Sequence, residues 1–118
     1  MSGKSKTEIL NWLYSLQRFG IKPGFERISG LLKYLGNPEN QFKSIHITGT
    51  NGKGTTSVNI ASILKEANFK IGLYTSPHLV DFNERIQING VMIDDDILID
   101  YADSLRNIQE KTNATFFE

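Results

Sequence analysis

Cysteine is absent from the 118 residues of this sequence. Disulfide bonds and thiolate metal sites are therefore excluded, which fits a reducing compartment. The 13 basic and 13 acidic side chains cancel, so there is no overall attraction to nucleic acid or to an anionic membrane. The sequence also lacks an apolar run long enough for a signal peptide or a membrane span. We therefore predict a cytoplasmic protein without nucleic-acid or membrane partners.

The composition that remains is typical of a folded globular domain, with 39% hydrophobic and 22% charged residues. Apolar residues at helical spacing predict two short helices within residues 1–42, each followed by a glycine. The two sets are Ile9, Leu10, Leu13, Leu16 and Phe19, then Phe25, Ile28, Leu31, Leu32 and Leu35. These helices precede the first predicted strand, so we expect them to cap an α/β core.

The pattern that follows predicts a parallel strand–helix–strand unit. Residues 44–48 are short and β-branched and are followed by glycines, which predicts a buried strand that includes a buried, hydrogen-bonded His46. Residues 55–67 carry apolar side chains on one helical face, and residues 70–75 predict the next strand. A helical crossover of this length joins parallel strands with right-handed connectivity.

The last third of the sequence predicts a hairpin and a helix. Asn89-Gly90 lies between two apolar runs, and both turn residues accept the positive φ that a tight hairpin requires. The acidic residues 94–96 suit the start of a helix better than a metal site, because carboxylates favour the positive end of the helix dipole. Two parallel strands and a hairpin do not complete a doubly wound sheet, so we expect a piece of a longer protein.

A glycine-rich segment at residues 49–56 lies between the first predicted strand and its helix. Glycines let successive backbone N–H groups converge on an anion, and the helix N-terminus adds a positive dipole end. Lys53 supplies a cation, and Thr55 a hydroxyl for phosphate or Mg²⁺. The general phosphate-loop pattern has Ser or Thr in place of Gly54 and glycine in place of Ile47. The alternative is a glycine turn with a solvated lysine, and nucleotide binding is the stronger hypothesis.

With these departures, the loop Gly-Thr-Asn-Gly-Lys-Gly-Thr resembles that of the folylpolyglutamate synthase and dihydrofolate synthase family, a branch of the Mur-type amide ligases. Further segments resemble the same family in order and spacing: residues 24–28, 35–38, 74–79, 82–86 and 88–90. The resemblance implies an α/β fold, a partial P-loop NTPase-like parallel sheet of the Mur ligase central domain, with N-terminal helices and a β-hairpin. Residues 1–42 would form the helical region and 43–118 an incomplete core.

The resemblance further implies ATP-dependent ligation of L-glutamate to a folate, or to dihydropteroate, through an acyl phosphate. The family's ATP-binding positions correspond here to Thr50, Asn51, Gly52, Lys53, Gly54, Thr55 and Thr56, with Lys53 also in a catalytic role. Mg²⁺ would be contacted by Ser76 and Thr55. The family's other metal ligands, a glutamate and a histidine, lie further along its sequence.

Substrate-binding candidates follow from the same resemblance. They are Phe25, Glu26, Arg27, Pro77, His78, Arg85, Thr115, Phe116, Phe117 and Glu118. Simpler alternatives exist: an exposed loop histidine at His78, pairing of Arg85 with an acidic neighbour, and a core helix beginning at Phe116. Two other functions are open to a sequence with this loop, a nucleotide-dependent switch module and a Mur-type ligase of peptidoglycan synthesis. The residues 74–79 and 82–86 favour the folate ligases over both.

Overall fold

The computed structural model describes residues 4–118. Its helices are α1 (Lys6–Ser15), α2 (Glu26–Tyr34), α3 (Lys53–Glu66) and α4 (Asp95–Thr112). Its strands are β1 (Gly72–Tyr74), β2 (Ile86–Ile88) and β3 (Val91–Met92), and short 3-10 helices span Leu16–Phe19, Pro38–Gln41 and Phe82–Arg85. The chain divides into two compact units, one formed by residues up to 44 together with 96–118, the other by residues 45–95.

The first unit is helical and contains the best-buried apolar cluster. Ile9 of α1 is fully buried and forms this cluster with Ile99 and Ala102 of α4. Trp12 and Leu13, one turn further along α1, pack against it. The spacing of these residues places them on one face of each helix, so the two helices bury their apolar faces against each other.

The second unit contains a three-stranded antiparallel sheet in the order β1–β2–β3, and α3 contacts β1. Leu73 pairs with Gln87 in the centre of the β1–β2 ladder. The turn between β2 and β3 is formed by Asn89 and Gly90, with φ angles of 51° and 83°. The predicted hairpin is therefore confirmed, as is the helix at α3, which begins two residues earlier than predicted.

The prediction of a buried strand at residues 44–48 is wrong for the described residues. The segment forms no strand there, Ile45 is 63% exposed and His46 is exposed. The predicted parallel pair is likewise missing from residues 4–118, because β1 pairs antiparallel with β2. An extended segment becomes a strand only where a neighbour accepts and donates its backbone hydrogen bonds, and no strand among the described residues does so here.

Across residues 4–118, none of the helices combines the length and the apolar composition needed to cross a bilayer.

Candidate functional site

The glycine-rich loop before α3 takes its shape from two glycines with positive φ. Gly49 has φ 150° and Gly52 has φ 75°, values that side chains with a Cβ atom disfavour. Gly52 is the N-cap of α3, and its carbonyl accepts the amide of Thr56 at 2.9 Å. The helix therefore begins at Lys53, directly after the turn.

The first turn of α3 presents backbone donors to solvent. In the described part of the protein, the amides of Lys53, Gly54 and Thr55 have no hydrogen-bond acceptor, as helix geometry requires of the first residues. A Cβ atom built on Gly52 or Gly54 would meet no atom within 4 Å, so the space around this turn is open. Three free amides at the positive end of a 14-residue helix form a site suited to an anion.

The side chains of this loop are exposed, and they include the predicted cation. Thr50, Asn51, Lys53, Thr55 and Thr56 all reach solvent. The hydroxyl of the next residue, Ser57, is by contrast occupied within the helix, where it donates to the carbonyl of Lys53 at 2.8 Å. The predicted ATP-binding residues thus form one continuous exposed segment that includes Lys53 and two threonines of the first helical turn.

A second loop follows β1 and contains the predicted Mg²⁺ residue. Ser76 and Pro77 are exposed and joined by a cis peptide bond. The loop is closed at its base, where the amide of Thr75 donates to the carbonyl of Arg85 at 3.0 Å. Ser76 therefore lies in a closed loop at the end of a strand, with its side chain exposed.

Glu84 organises this loop, a role that the sequence reasoning missed. Its carboxylate accepts the amides of Leu79 (2.9 Å), Val80 (2.9 Å) and Asp81 (2.7 Å). These hydrogen bonds lower the pKa of Glu84, the bond from Asp81 having the largest effect. Asp81 in turn accepts the amide of Asn83 at 3.1 Å, completing a capping box. The spacing Asp-x-x-Glu was the available signal.

His78 and Arg85, two substrate-binding candidates, are brought together by this loop. The Nε of Arg85 donates to Nδ1 of His78 at 2.8 Å, so the imidazole accepts through that nitrogen and carries its proton on Nε2. Phe82 lies beside both, 5.7 Å from the His78 ring and 5.1 Å from the Arg85 guanidinium carbon. The contact between the arginine and the histidine is one that the sequence did not indicate.

In the helical unit, Arg27, Thr115 and Glu118 form one hydrogen-bonded cluster. Arg27 donates through Nε to Glu118 at 2.6 Å and through Nη2 to the carbonyls of Lys22 and Pro23 at 2.7 and 2.8 Å. Glu118 also accepts the amide of Thr115 at 2.7 Å and its hydroxyl. Burial raises the pKa of Glu118, but the bonds from Thr115 and Arg27 outweigh it and lower that pKa to about 2. The polar groups of these candidates are thus engaged with one another.

The aromatic candidates differ in their surroundings. Phe116 lies 5.9 Å from the Tyr14 ring and 5.6 Å from Phe117, whereas Phe117 itself is mostly exposed. Phe116 and Phe117 lie in a turn after α4. Phe25 is 82% exposed at the N-cap of α2, and Glu26 follows it, also exposed.

Acidic and imidazole groups do not converge on a metal site in this part of the protein. Residues 4–118 contain no group of three or more His, Asp or Glu side chains able to hold an ion. The hydroxyls of Ser76 and Thr55 are exposed oxygen ligands of the kind that complete, rather than create, a Mg²⁺ site.

Comparison with known proteins identifies close relatives, although no family model matches the chain. It is 44% identical over 86 residues to the dihydrofolate synthase/folylpolyglutamate synthase of Bacillus subtilis, covering 73% of this chain and 20% of that protein. The solved folylpolyglutamate synthetase from Lactobacillus casei superposes with a TM-score of 0.87 and 36% identity, over 97% of this chain and 30% of the other. A folylpolyglutamate synthase (FPGS) solved in complex with AMPPCP and folate superposes with a TM-score of 0.81 at 34% identity. The match covers 97% of this chain and 30% of the other.

These relatives agree with each other and with the sequence motifs. The chain spans less than a third of the length of each of them. Within that span, the identity and the superposition extend over most of the described residues. The chain therefore belongs to the folylpolyglutamate and dihydrofolate synthase family.

Proposed function

We propose that the protein to which this chain belongs uses ATP to join L-glutamate to a folate or to dihydropteroate. The second reaction would yield dihydrofolate. The names of its relatives support this activity, and so does a relative solved with folate and AMPPCP, an analogue of ATP. The reaction makes an amide from a carboxylate and an amine, which requires activation of the carboxylate. ATP supplies that activation as an acyl phosphate, and ADP and phosphate are the by-products.

The contribution of this chain is the binding of the triphosphate by the segment from Thr50 to Thr56. The observation that carries this proposal is the first turn of α3, where the amides of Lys53, Gly54 and Thr55 have no acceptor among the described residues and all three residues are exposed. As the carboxylate oxygen attacks the γ-phosphorus, negative charge develops on the transferring group and on the departing ADP. Fixed amide dipoles and the Lys53 ammonium group stabilise that charge without reorganisation. Lys53 is in this sense the catalytic residue of the chain.

Mg²⁺ enters the proposed site together with ATP. Ser76 and Thr55 would each contribute a hydroxyl oxygen, and the phosphate oxygens would supply most of the remaining ligands. The exposure of both hydroxyls fits this role. We expect this chain to contact the ion mainly through the bound nucleotide. Additional protein ligands would come from the remainder of the longer protein.

Candidates for contact with the folate lie in each unit, and each group is proposed on its own. His78 and Arg85, with Pro77 nearby in sequence, offer an imidazole N–H and a guanidinium to a carboxylate or phosphate. In the helical unit, the exposed rings of Phe25 and Phe117 offer flat apolar surface for a heterocycle. The candidates Glu26, Phe116 and the cluster of Arg27, Thr115 and Glu118 would line or support that surface.

The architecture of the longer protein completes this proposal. We expect residues 1–42 to form a helical region and residues 43–118 to begin the ATP-binding domain. The segment at 44–48, unpaired among the described residues, would join a parallel P-loop sheet once neighbouring strands are present. We expect a cytoplasmic location, with small molecules as the substrates and without nucleic-acid or membrane partners.

Calorimetric titration of the chain with Mg·ATP tests the triphosphate site. Lys53→Ala removes a charged donor to phosphate, so affinity should fall roughly 10- to 100-fold. Lys70→Ala is a matched control, because Lys70 is an exposed lysine of the same unit outside the loop. Circular dichroism of each variant establishes that the comparison is between folded proteins. Equal affinities of wild type and Lys53→Ala would refute the assignment.

The ligase activity itself is tested in the longer protein. Incorporation of labelled glutamate is measured with dihydropteroate and with a reduced folate in separate reactions. Labelled product with either one supports the proposed activity and decides the substrate range. Failure with both, under conditions where Mg·ATP binds, would refute the folate assignment while leaving the nucleotide site intact.

A further inference from the structure

Two Asn-Gly dipeptides occur in the sequence, and the structure places them in different surroundings. Asn51-Gly52 lies in the glycine-rich loop and Asn89-Gly90 forms the hairpin turn. In an Asn-Gly sequence the glycine amide nitrogen can attack the carboxamide carbon of the asparagine, because no Cβ on the glycine hinders the approach. Asparagine is for this reason a chemically labile residue.

Hydrogen bonds with Ile71 hinder this reaction at Asn89-Gly90, the dipeptide of the hairpin turn. Oδ1 of Asn89 accepts the amide of Ile71 at 2.8 Å, and the Asn89 amide donates to the carbonyl of Ile71, also at 2.8 Å. The Asn89 residue is half-buried. Before Gly90 can attack, the carboxamide must rotate away from Ile71 and lose its hydrogen bond.

The loop dipeptide is not held in this way. Asn51 is exposed, and its carboxamide makes no hydrogen bond within the described residues. The Gly52 amide likewise has no acceptor there, and it precedes the positive end of α3 and the Lys53 ammonium group. Both favour the deprotonated amide that must form before attack.

We propose that Asn51 is a spontaneous modification site, at which the nucleotide loop converts to aspartate and isoaspartate. The Gly52 nitrogen bonds to Cγ of Asn51, the bond between Cγ and Nδ2 breaks, and ammonia leaves with the proton from the Gly52 amide. Water then opens the resulting succinimide ring at either carbonyl. No oxidant, enzyme or cofactor is required.

The expected consequence is loss of triphosphate binding, and this part rests on the proposed function. Either product adds one negative charge, which changes the formal net charge of the chain from 0 to −1. The charge is placed within the loop that binds an anion, where like charges repel. Isoaspartate also inserts a methylene group into the main chain and displaces the amides that follow. The modification would therefore inactivate the site as the protein ages.

Peptide mapping by mass spectrometry measures the conversion in the intact chain. Trypsin separates the two sites, because Asn51 falls in residues 44–53 and Asn89 in residues 86–106. During incubation at mildly alkaline pH, Asn51 should convert roughly two- to ten-fold faster than Asn89, the factor set by breaking one hydrogen bond. Equal rates, or faster conversion at Asn89, would overturn the proposal.

Two controls keep the result interpretable. In denaturant the ratio of the two rates should shrink, since the fold is what separates them, and an unchanged ratio would contradict the structural argument. Asn51→Gln should abolish conversion at that position, because glutamine must close a larger ring.

The consequence is measured separately by titrating Asn51→Asp with Mg·ATP, for which affinity should fall roughly ten-fold. Wild-type affinity in this variant would overturn the consequence and leave the modification standing. If wild type itself fails to bind Mg·ATP, the proposed function fails, and the conversion rates still decide the chemistry.

Discussion

The ion pair between Arg27 and Glu118 connects the start of α2 with the turn after α4, and its removal has a calculable effect. The Arg27 Nε lies 2.6 Å from the Glu118 carboxylate, and the two side chains are only 16% and 11% exposed. The same carboxylate accepts the amide and the hydroxyl of Thr115. Glu118→Gln removes the negative charge and leaves the guanidinium group in place without its carboxylate partner.

The magnitude follows from the pKa of Glu118. Burial raises this pKa, but the hydrogen bonds from Thr115 and Arg27 have the larger, opposite effect. The net result is a pKa lowered from 4.5 to about 2. One pKa unit corresponds to ~1.4 kcal/mol, so the full shift would represent about 3 kcal/mol of unfolding free energy. Water reaches part of the pair, and screening reduces the expected loss in the variant to about 1–2 kcal/mol.

The pH dependence gives this prediction its sharpest test. Because the pKa is depressed in the folded state, the stabilisation is fully present above the unfolded value of 4.5 and disappears as the pH falls toward about 2. Urea unfolding, followed by the fluorescence of the half-buried Trp12, measures the free energy at each pH. Wild type and Glu118→Gln should differ near neutral pH and converge in acid.

A matched variant separates this effect from a general loss of negative charge. Glu110 is exposed on α4, so Glu110→Gln should follow the wild-type curve throughout. The reasoning would be refuted if Glu118→Gln were as stable as wild type near neutral pH. It would also be refuted if the difference persisted unchanged below the folded pKa.

Three further outcomes are expected. Glu84→Gln replaces the charged acceptor for the amides of residues 79–81 with a neutral one, so hydrogen exchange at these amides should accelerate roughly ten-fold. The control Glu66→Gln should leave their exchange unchanged. Equal exchange rates in the two variants would contradict the role assigned to Glu84. Asn89→Ala loses the hydrogen bond from the Ile71 amide and places alanine at a φ of 51°, so the free energy of unfolding should fall by about 1–2 kcal/mol. Thermal unfolding measures this loss, and an unchanged midpoint would contradict the prediction. The 118-residue chain alone, given Mg·ATP, glutamate and a reduced folate, should form no glutamylated product, and measurable turnover would disprove this.

Features whose determinants are close together in sequence were predicted well. The hairpin turn follows from Asn89 and Gly90 alone, because both accept positive φ. Helix α4 begins at Asp95, within the predicted acidic stretch. The residues that it packs against Ile9 of α1 are Ile99 and Ala102, whereas Ile97 is 44% exposed and Tyr101 63% exposed. In each case the information lies within a few residues, which is the range over which propensity and periodicity act.

Features that depend on distant partners were not predictable. The contact between Arg27 and Glu118 joins residues 91 positions apart, and the sequence around either residue does not indicate its partner. The choice of β2 as the partner of β1, and its antiparallel direction, is also a long-range outcome. Glu84 lies between these cases, since its capping-box spacing is local but its bonds to Leu79 and Val80 depend on how the loop closes.

The segment at 44–48 is unpaired among the described residues, yet the loop that follows it is formed. This contrast indicates how much of the nucleotide site forms without the rest of the protein. A strand depends on neighbours for its hydrogen bonds, whereas the amides at the start of α3 are free because of helix geometry alone. The positive φ of Gly52 and the position of Lys53 are likewise set within the loop. The groups proposed to hold the triphosphate therefore depend on residues 49–56 rather than on a completed sheet. Binding by the 118 residues alone would establish that local origin, and the sheet would then serve to place the bound nucleotide against the folate.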